Sequence, residues 1–218
     1  QTKHEFLRRT AAVIAAFFTL TFTGCGQTPE SPGSLPVSGV VSETTAQSGQ
    51  ETAGVSEGDS FTIHFIDVGQ ADSALVTCDG HSMLIDGGNA DDSNLVYSVL
   101  QRETEGHLDY VIGTHAHEDH IGGLSGAFEA DTADVTFCPV TEYDSKAFRN
   151  FKARADEKGG GITVPEVGDT FTLGEASVTI VAVNSVPEDT NNTSIVIRIV
   201  YGDTSFLFTG DAEQETEE

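Results

Sequence analysis

From Phe61 onward, short apolar segments separated by Gly and Asp residues predict a succession of strands and helices. The first segments that have the pattern of strands are 61–68, 73–77, 83–86, 108–114 and 134–140. Asp79-Gly80 predicts a hairpin turn between the second and third of these strands. Segment 108–114 is mostly apolar, which is typical of a strand buried on both faces.

Three helices are predicted among these strands. The first follows Asp91 or Asp92, either of which can cap a helix N-terminus. The second is expected after Gly122-Gly123, and the third covers residues 145–158 and ends at the glycine run 159–161. The predicted buried positions are Leu95, Val96, Val99 and Leu100 in the first helix and Phe148, Phe151 and Ala155 in the third.

The remainder of the chain has the pattern of strands and turns. Segment 171–183 predicts a hairpin around Gly174-Glu175, and segment 194–209 predicts another around Gly202-Asp203. Strands, then alternating helices and strands, then further strands indicate an α+β protein, a mixed sandwich with helices outside.

The first 24 residues have the pattern of an export signal. Lys3, Arg8 and Arg9 precede an apolar run, residues 11–23, that is short for a membrane span and typical of a signal peptide. Thr23-Gly24-Cys25 resembles a bacterial lipoprotein cleavage box, which predicts lipidation of Cys25, with an ordinary secretory signal as the alternative. We therefore expect an exported protein, anchored by this lipid to the outer side of the cytoplasmic membrane, or secreted.

Residues 25–59 are rich in Ser, Thr, Gly and Glu and carry almost no large apolar side chains. Such a segment cannot bury enough surface to offset the entropy lost on ordering, so it is predicted to be a flexible tether. The folded domain is expected to begin at residue 60.

The net charge of the chain is -25, with 10 Lys and Arg against 35 Asp and Glu. An acidic surface repels polyanions at long range, which counts against a simple nucleic-acid-binding module. Half of the positive charges, however, lie on the predicted helix at 145–158. That helix is either a phosphate-facing stripe or a solvated face, and its acidic neighbours favour the solvated face.

The most informative segment directly follows the buried strand 108–114. His115, His117, Asp119 and His120 lie within six consecutive positions. Imidazole nitrogens and carboxylate oxygens are the ligands that a borderline divalent metal prefers. The spacing of two lets His115 and His117 point the same way in an extended loop. The sequence therefore predicts a metal site here.

The pattern His115-x-His117-x-Asp119-His120 resembles the signature of the metallo-β-lactamase superfamily. Segments 83–88 (MLIDGG) and 208–211 (FTGD) resemble two further elements of that family. The resemblance implies an αββα four-layer sandwich over residues 60–218. Segments 65–72, 191–194 and 201–211 resemble the extracellular hydrolase domain of the competence DNA-uptake protein ComEC and its secreted relatives.

The resemblance also implies roles for individual residues. His115 and His117 would hold one divalent ion, Asp119 and His120 a second, and Asp211 would bridge the two. Asp119 and His120 would be the catalytic residues, and the metals would be zinc or manganese. Asp86 would hold the histidine loop in place through hydrogen bonds, although a plain strand-end cap is an equal alternative. Asn192, or its neighbour Asn191, would shape the first metal site without being a ligand. Asp67 and Asp72, by contrast, flank a tight turn and are predicted to serve that turn.

The sequence departs from the family pattern in three places. Ala71 stands where the ComEC-like relatives usually have glycine, and no histidine follows His120 to supply the usual third ligand of the first metal. The family also places a His-His-Gly-Ser element beyond the strand that precedes Asp211. We therefore expect the domain to be incomplete at its C-terminus.

Three functions remain open at this point. The resemblance favours a metal-dependent phosphodiesterase or nuclease, with DNA as one substrate, that uses a metal-bound hydroxide. The second is a hydrolase of another ester, a lactone, a β-lactam or a phosphorylcholine ester. The third is a degenerate, non-catalytic binding domain, which Asp119→Ala would distinguish because binding, unlike hydrolysis, should survive. Nothing in the sequence points to a protein partner.

Overall fold

The computed structural model of the protein describes residues 60–185 and 189–217. The predicted signal peptide (1–24), the predicted lipidation site Cys25 and the tether up to residue 59 lie outside the described residues. Within the described ranges, no helix is long and apolar enough to cross a membrane.

The first sheet has six strands, which neighbour one another in chain order. They are β1 (Phe61–Phe65), β2 (Ala74–Cys78), β3 (His81–Ile85), β4 (His107–Ile112), β5 (Thr132–Phe137) and β6 (Ile162–Thr163). The pairing is antiparallel from β1 to β3 and parallel from β3 to β6. Because the parallel strands end at the same edge, the loops that follow β3 and β4 lie side by side there.

Helices connect the parallel strands, as crossover connections require. They are α1 (Ser93–Glu103) between β3 and β4, α2 (Glu118–Ile121) and α3 (Leu124–Ala130) between β4 and β5, and α4 (Lys146–Lys158) between β5 and β6. A 3-10 turn, Ala90–Asp92, leads into α1. The hydroxyl of Ser145 caps α4 by accepting a hydrogen bond from the N–H of Phe148 at 3.0 Å.

The second sheet is antiparallel, in the order β10-β9-β8-β7. Its strands are β7 (Thr170–Leu173), β8 (Ala176–Ala182), β9 (Val196–Tyr201) and β10 (Thr204–Phe208). The two predicted hairpin turns lie between β7 and β8 and between β9 and β10. A 3-10 turn (Asn191–Thr193) precedes β9, and a short helix, α5 (Gln214–Glu217), follows β10.

Two apolar cores hold the layers together. One lies between the helices and the first sheet and is centred on Phe128, Phe148 and Phe151. The other lies between the two sheets, where Met83 and Ile112 pack with residues of β8 and β9. Full burial of one such side chain stabilises the fold by about 1.5–3 kcal/mol. The predicted α+β sandwich class is confirmed.

The described residues form three of the four expected layers. Val181 and Leu207, which alternate with core residues of the second sheet, are 44% and 59% exposed. The outer face of this sheet is therefore not covered at these positions by any described residue.

Some local predictions were wrong. The first strand ends at Phe65 rather than at residue 68, because Ile66 to Val68 leave the sheet and Val68 packs against Gly88. Leu95 is 39% exposed, since it lies at the edge of the apolar stripe of α1, whereas Val96, Val99 and Leu100 are buried. Neither α2 nor the two-residue strand β6 was predicted.

The structure also places the basic residues of α4 and two of the cysteines. Arg149 pairs with Asp144 at 2.9 Å, and Lys152 pairs with Asp156 at 3.1 Å, both at the surface. These pairs support the interpretation of α4 as a solvated face. Cys78 and Cys138 are free and buried, one between the sheets and the other in the helix-side core.

Candidate metal centre

The histidine motif follows the carboxyl end of β4. Ala116 is buried in the helix-side core, and the flanking His115 and His117 turn to the opposite side of the chain. Nε2 of His115 therefore lies 3.0 Å from Nδ1 of His117. His115 is fully buried and His117 is half-buried.

His120 reaches the same point from the short helix α2. The backbone N–H of His120 donates to the carbonyl of His117 at 3.2 Å, which curls the chain back towards the first two histidines. The rings of His115 and His120 have their centroids 4.1 Å apart. Three imidazoles thus share one edge of the first sheet.

Asp86 anchors this arrangement from the end of β3. Its buried carboxylate accepts hydrogen bonds from the N–H of Thr114 at 2.8 Å and from the hydroxyl of Thr114 at 2.7 Å. The same carboxylate also lies 2.9 Å from Nδ1 of His120. A hydrogen bond to Nδ1 fixes the ring and leaves Nε2 as the atom that faces the cluster.

Asp211 joins the cluster from the second sheet. Its carboxylate lies 3.3 Å from Nε2 of His120 and 4.0 Å from Nε2 of His115. The sheets are tied together next to it, because the N–H of Ile195 donates to the carbonyl of Thr114 at 2.8 Å. One ligand atom each from His115, His120 and Asp211 lies within 4.8 Å of the others.

Burial and charge give the two buried histidines opposite protonation behaviour. Burial, together with the charges of His120 and His117, lowers the pKa of His115 to about 3, so its lone pair is free at neutral pH. Burial also disfavours the charged form of His120. The hydrogen bond to Asp86 and the charges of Asp86, Asp211 and Asp119 outweigh that burial and raise the pKa of His120 to about 9.

Two glycine pairs bring the loop after β3 against the turn after α2. The N–H of Gly87 donates to the carbonyl of His120 at 2.7 Å, and the N–H of Gly123 donates to the carbonyl of Gly88 at 2.9 Å. A Cβ atom at Gly123 would lie 1.9 Å from the carbonyl oxygen of Gly87. Only glycine permits this approach, which holds His120 beside Asp86.

Three predicted site residues lie outside the group formed by His115, His120 and Asp211. Asp119 is half-buried in the first turn of α2, and its carboxylate does not belong to any His/Asp group that the described residues bring within 4.8 Å. His117 contacts His115 but belongs to no such group either. The side-chain oxygen of Asn192 accepts from the N–H of Glu213 at 3.2 Å, so it holds the chain that follows Asp211.

Sequence reasoning missed Asp72. Its carboxylate lies within 4.8 Å of ligand atoms of Asp86 and His120, so Asp72 belongs to a second His/Asp group. Asp67 accepts a hydrogen bond within that turn from the N–H of Gly69 at 3.4 Å, whereas the carboxylate of Asp72 accepts none from a described residue, so a role of Asp72 in the turn stays a prediction. The sequence around Asp72-Ser73, directly before β2, contains no local pattern that predicts this contact.

A third group lies at the other end of the first sheet, where β3, β4 and β5 begin. His81 pairs with Asp109 at 2.7 Å, and His107 approaches Asp134 at 3.4 Å. Both histidines are about half exposed.

The donor set after β4 fits a divalent metal ion. The 3.0 Å between the facing nitrogens of His115 and His117 is close to the roughly 3.3 Å expected between two ligands of a tetrahedral centre with 2.0–2.1 Å bonds. His115 presents a lone pair, and Asp211 offers a carboxylate. Nitrogen and carboxylate oxygen together are typical ligands of zinc and of related divalent metals.

Comparison with known proteins gives one curated relative and a set of solved structures. The chain is 36% identical over 110 residues to Ribonuclease J from Sinorhizobium meliloti, which covers 50% of this chain and 18% of that protein. A metallo-beta-lactamase of Cronobacter sakazakii with a HARLDQ motif is 14% identical, with a TM-score of 0.49, over 67% of this chain and 58% of that one.

The metallo-beta-lactamase fold protein YhfI from Bacillus subtilis is 23% identical, with a TM-score of 0.40, over 64% of this chain and 54% of that one. The chain thus spans less than two thirds of each of these three proteins. Residues 66–218 match the family model of the Metallo-beta-lactamase superfamily, which covers well over half of the chain. On this match, and with its sandwich of two sheets and its histidine loop at their shared edge, the chain belongs to the metallo-beta-lactamase superfamily.

Proposed function

We propose that the protein is a metal-dependent hydrolase that cleaves a phosphodiester. The convergence of His115, His120 and Asp211 from two different sheets carries this proposal. Two divalent ions, zinc or manganese, would be held by the five residues that resemble the family motif: His115, His117, Asp119, His120 and Asp211. When bound, such ions lower the pKa of a water towards neutrality and neutralise charge on the phosphoryl oxygens.

The residues of the chain have separate tasks in this proposal. Asp86 orients the ring of His120 through its contact with Nδ1. Asn192 accepts a hydrogen bond from the N–H of Glu213 and so positions the segment that follows Asp211. Asp119 is half-buried in the first turn of α2 and accepts no hydrogen bond from a described residue through its carboxylate. That carboxylate is available to a cation or to the proton of a water molecule.

A cavity of about 350 Å³ lies next to the cluster. Its lining includes the polar residues Asp72, Asp86 and Thr114 and the apolar residues Phe65 and Leu207. A cavity that combines polar and apolar lining residues beside the candidate ligands suits a small substrate with both polar and apolar parts.

Two observations bear on the substrate in opposite directions. The curated relative is named a ribonuclease, and the sequence resembles the ComEC-like hydrolases, which together favour a phosphodiester, including DNA. The charge of -25 and the ion-paired cations of α4 favour a second candidate, a small ester, lactone or amide such as a β-lactam or a phosphorylcholine ester.

The proposal is tested with protein that has been stripped by a chelator and reloaded with zinc or manganese. We expect hydrolysis of bis(p-nitrophenyl) phosphate and of single-stranded DNA or RNA to disappear on stripping and to return on reloading. Cleavage of nitrocefin or of a lactone instead would favour the second candidate. If the reloaded protein cleaves none of these substrates but retains one of them in a binding assay, it is a binding domain.

We also propose that the protein is exported as a lipoprotein of the outer side of the cytoplasmic membrane, in the manner of a tethered ComEC-like hydrolase. The support is the pattern of residues 1–25. Cys25→Ser should move the protein from the membrane pellet of a bacterial host into the soluble fraction. Ser31→Ala in the tether serves as the control and should leave it in the pellet. A Cys25→Ser protein that still pellets with membranes would contradict the lipid anchor.

A further inference from the structure

The backbone of Asp72 is fixed between the two loops that carry the candidate ligands. Its N–H donates to the carbonyl of Asp119 at 3.3 Å, and its own carbonyl accepts from the N–H of Gly88 at 2.9 Å. The hydroxyl of the next residue, Ser73, donates to the carbonyl of Asp86 at 3.1 Å. The position of Asp72 is therefore set by the site and not only by its own turn.

The side chain of Asp72 has no structural bond to explain its position. It accepts no hydrogen bond from any described residue, whereas Asp67 accepts one within the turn. One of its oxygens nevertheless lies within 4.8 Å of ligand atoms of both Asp86 and His120. Because Asp86 already bonds Thr114 twice and contacts His120, Asp72 is the carboxylate of this group that is free to bind a cation.

Repulsion from neighbouring carboxylates makes the position of the Asp72 carboxylate energetically unfavourable when no cation is bound. The carboxylates of Asp86, Asp211 and Asp119 all repel Asp72, and His120 is the residue that attracts it. An exposed side chain in such a place can turn to solvent unless a positive charge holds it. Four carboxylates gathered around the histidines match the charge of divalent cations.

We propose that Asp72 supplies a carboxylate oxygen to the divalent cation bound by His120. The assignment rests on the proposed function, since it concerns the same metal centre. It gives the chain an oxygen ligand in addition to the five residues that resemble the family motif.

The test compares Asp72→Asn with Asp67→Asn, which removes a carboxylate from the same turn away from the cluster. Full-length wild-type and variant proteins are stripped with a chelator and titrated with Zn²⁺ or Mn²⁺ alone by calorimetry. Bound metal is counted after dialysis, and the absorption of the Co²⁺-loaded proteins reports the ligand set. We expect Asp72→Asn to weaken binding of at least one cation by about tenfold or more and to change the Co²⁺ spectrum. Asp67→Asn should stay within about twofold of the wild type.

The metal-free Asp72→Asn protein should melt at or slightly above the temperature of the wild type, because the lost carboxylate is exposed, accepts no hydrogen bond and is repelled by its acidic neighbours. Asp72→Ser provides the same comparison with a smaller side chain. Equal affinities and spectra in Asp72→Asn and wild type would overturn the assignment while leaving the proposed function intact. A wild type that binds cations but cleaves no phosphodiester would overturn the function, and the affinities would still decide the role of Asp72. A wild type that binds no divalent cation would overturn both.

Discussion

Replacing Asp211 by asparagine should lower kcat/KM for a phosphodiester by about a thousandfold, an effect of several kcal/mol on the transition state. Asp211 is the residue that the second sheet contributes to the cluster, and its oxygens face Nε2 of both His115 and His120. An amide has nearly the shape of the carboxylate but carries no charge, so it cannot neutralise or bridge cations. The variant should also bind less metal, which dialysis followed by elemental analysis measures.

The matched control is Asp203→Asn, in the exposed turn between β9 and β10 of the same hairpin. It removes the same charge a short distance along the chain and should leave both activity and metal content unchanged. Asp211 is 40% exposed, so its substitution should not unfold the protein. Full activity in Asp211→Asn would show that the reaction does not depend on this cluster.

Gly123→Ala should be one of the most damaging glycine-to-alanine substitutions among the described residues. The new Cβ atom would lie 1.9 Å from the carbonyl oxygen of Gly87, so two backbone segments must separate. Overpacking of this kind costs about 1–3 kcal/mol, and we expect the upper part of that range because the obstacle is backbone. For a domain of this size the melting temperature should fall by roughly 4–12 °C.

The same substitution should weaken metal binding, because the separation moves His120 away from Asp86. Thermal unfolding with and without a chelator separates the two effects, since only the loss of metal binding depends on the chelator. Ser125→Ala, two residues further along the chain, removes only side-chain hydrogen bonds to Ser93 and Gly122 and should shift the melting temperature by a few degrees at most. A Gly123→Ala protein as stable as Ser125→Ala would contradict the close approach of the two loops.

The sequence was sufficient for those parts of the fold that short-range chemistry determines. Asp79-Gly80 and Gly202-Asp203 marked their hairpins, and the apolar stripe of Phe148 and Phe151, ended by the glycine run 159–161, marked α4. β6 was missed because two residues show no periodicity, and it exists through parallel pairing with β5. The end of β1 was missed because Val68 is buried by the loop that packs on it and not by the sheet.

The candidate site likewise combines residues that the sequence predicted with one, Asp72, that it did not. The histidine loop was recognisable because its donors lie within six positions, and Asp211 came from resemblance to a family. Asp72 was assigned to the turn because a local account of an Asp in a tight turn was sufficient. Its position beside His120 depends on backbone bonds to Asp119 and Gly88, which join segments far apart in the chain. No pattern within one segment reports such a contact.

The joining of the two sheets at Asp211 has a consequence for the lifetime of the protein. A cation held by His115 and His120 on one sheet and Asp211 on the other would act as a clamp on the sandwich. Saturating such a clamp at a hundredfold excess over Kd would add about 2.7 kcal/mol to the free energy of unfolding. That difference would lower the population of opened chains about a hundredfold, and with it the rate at which proteases can cut them. The concentration of free divalent metal would then determine the lifetime of the protein against proteolysis as well as its rate of hydrolysis.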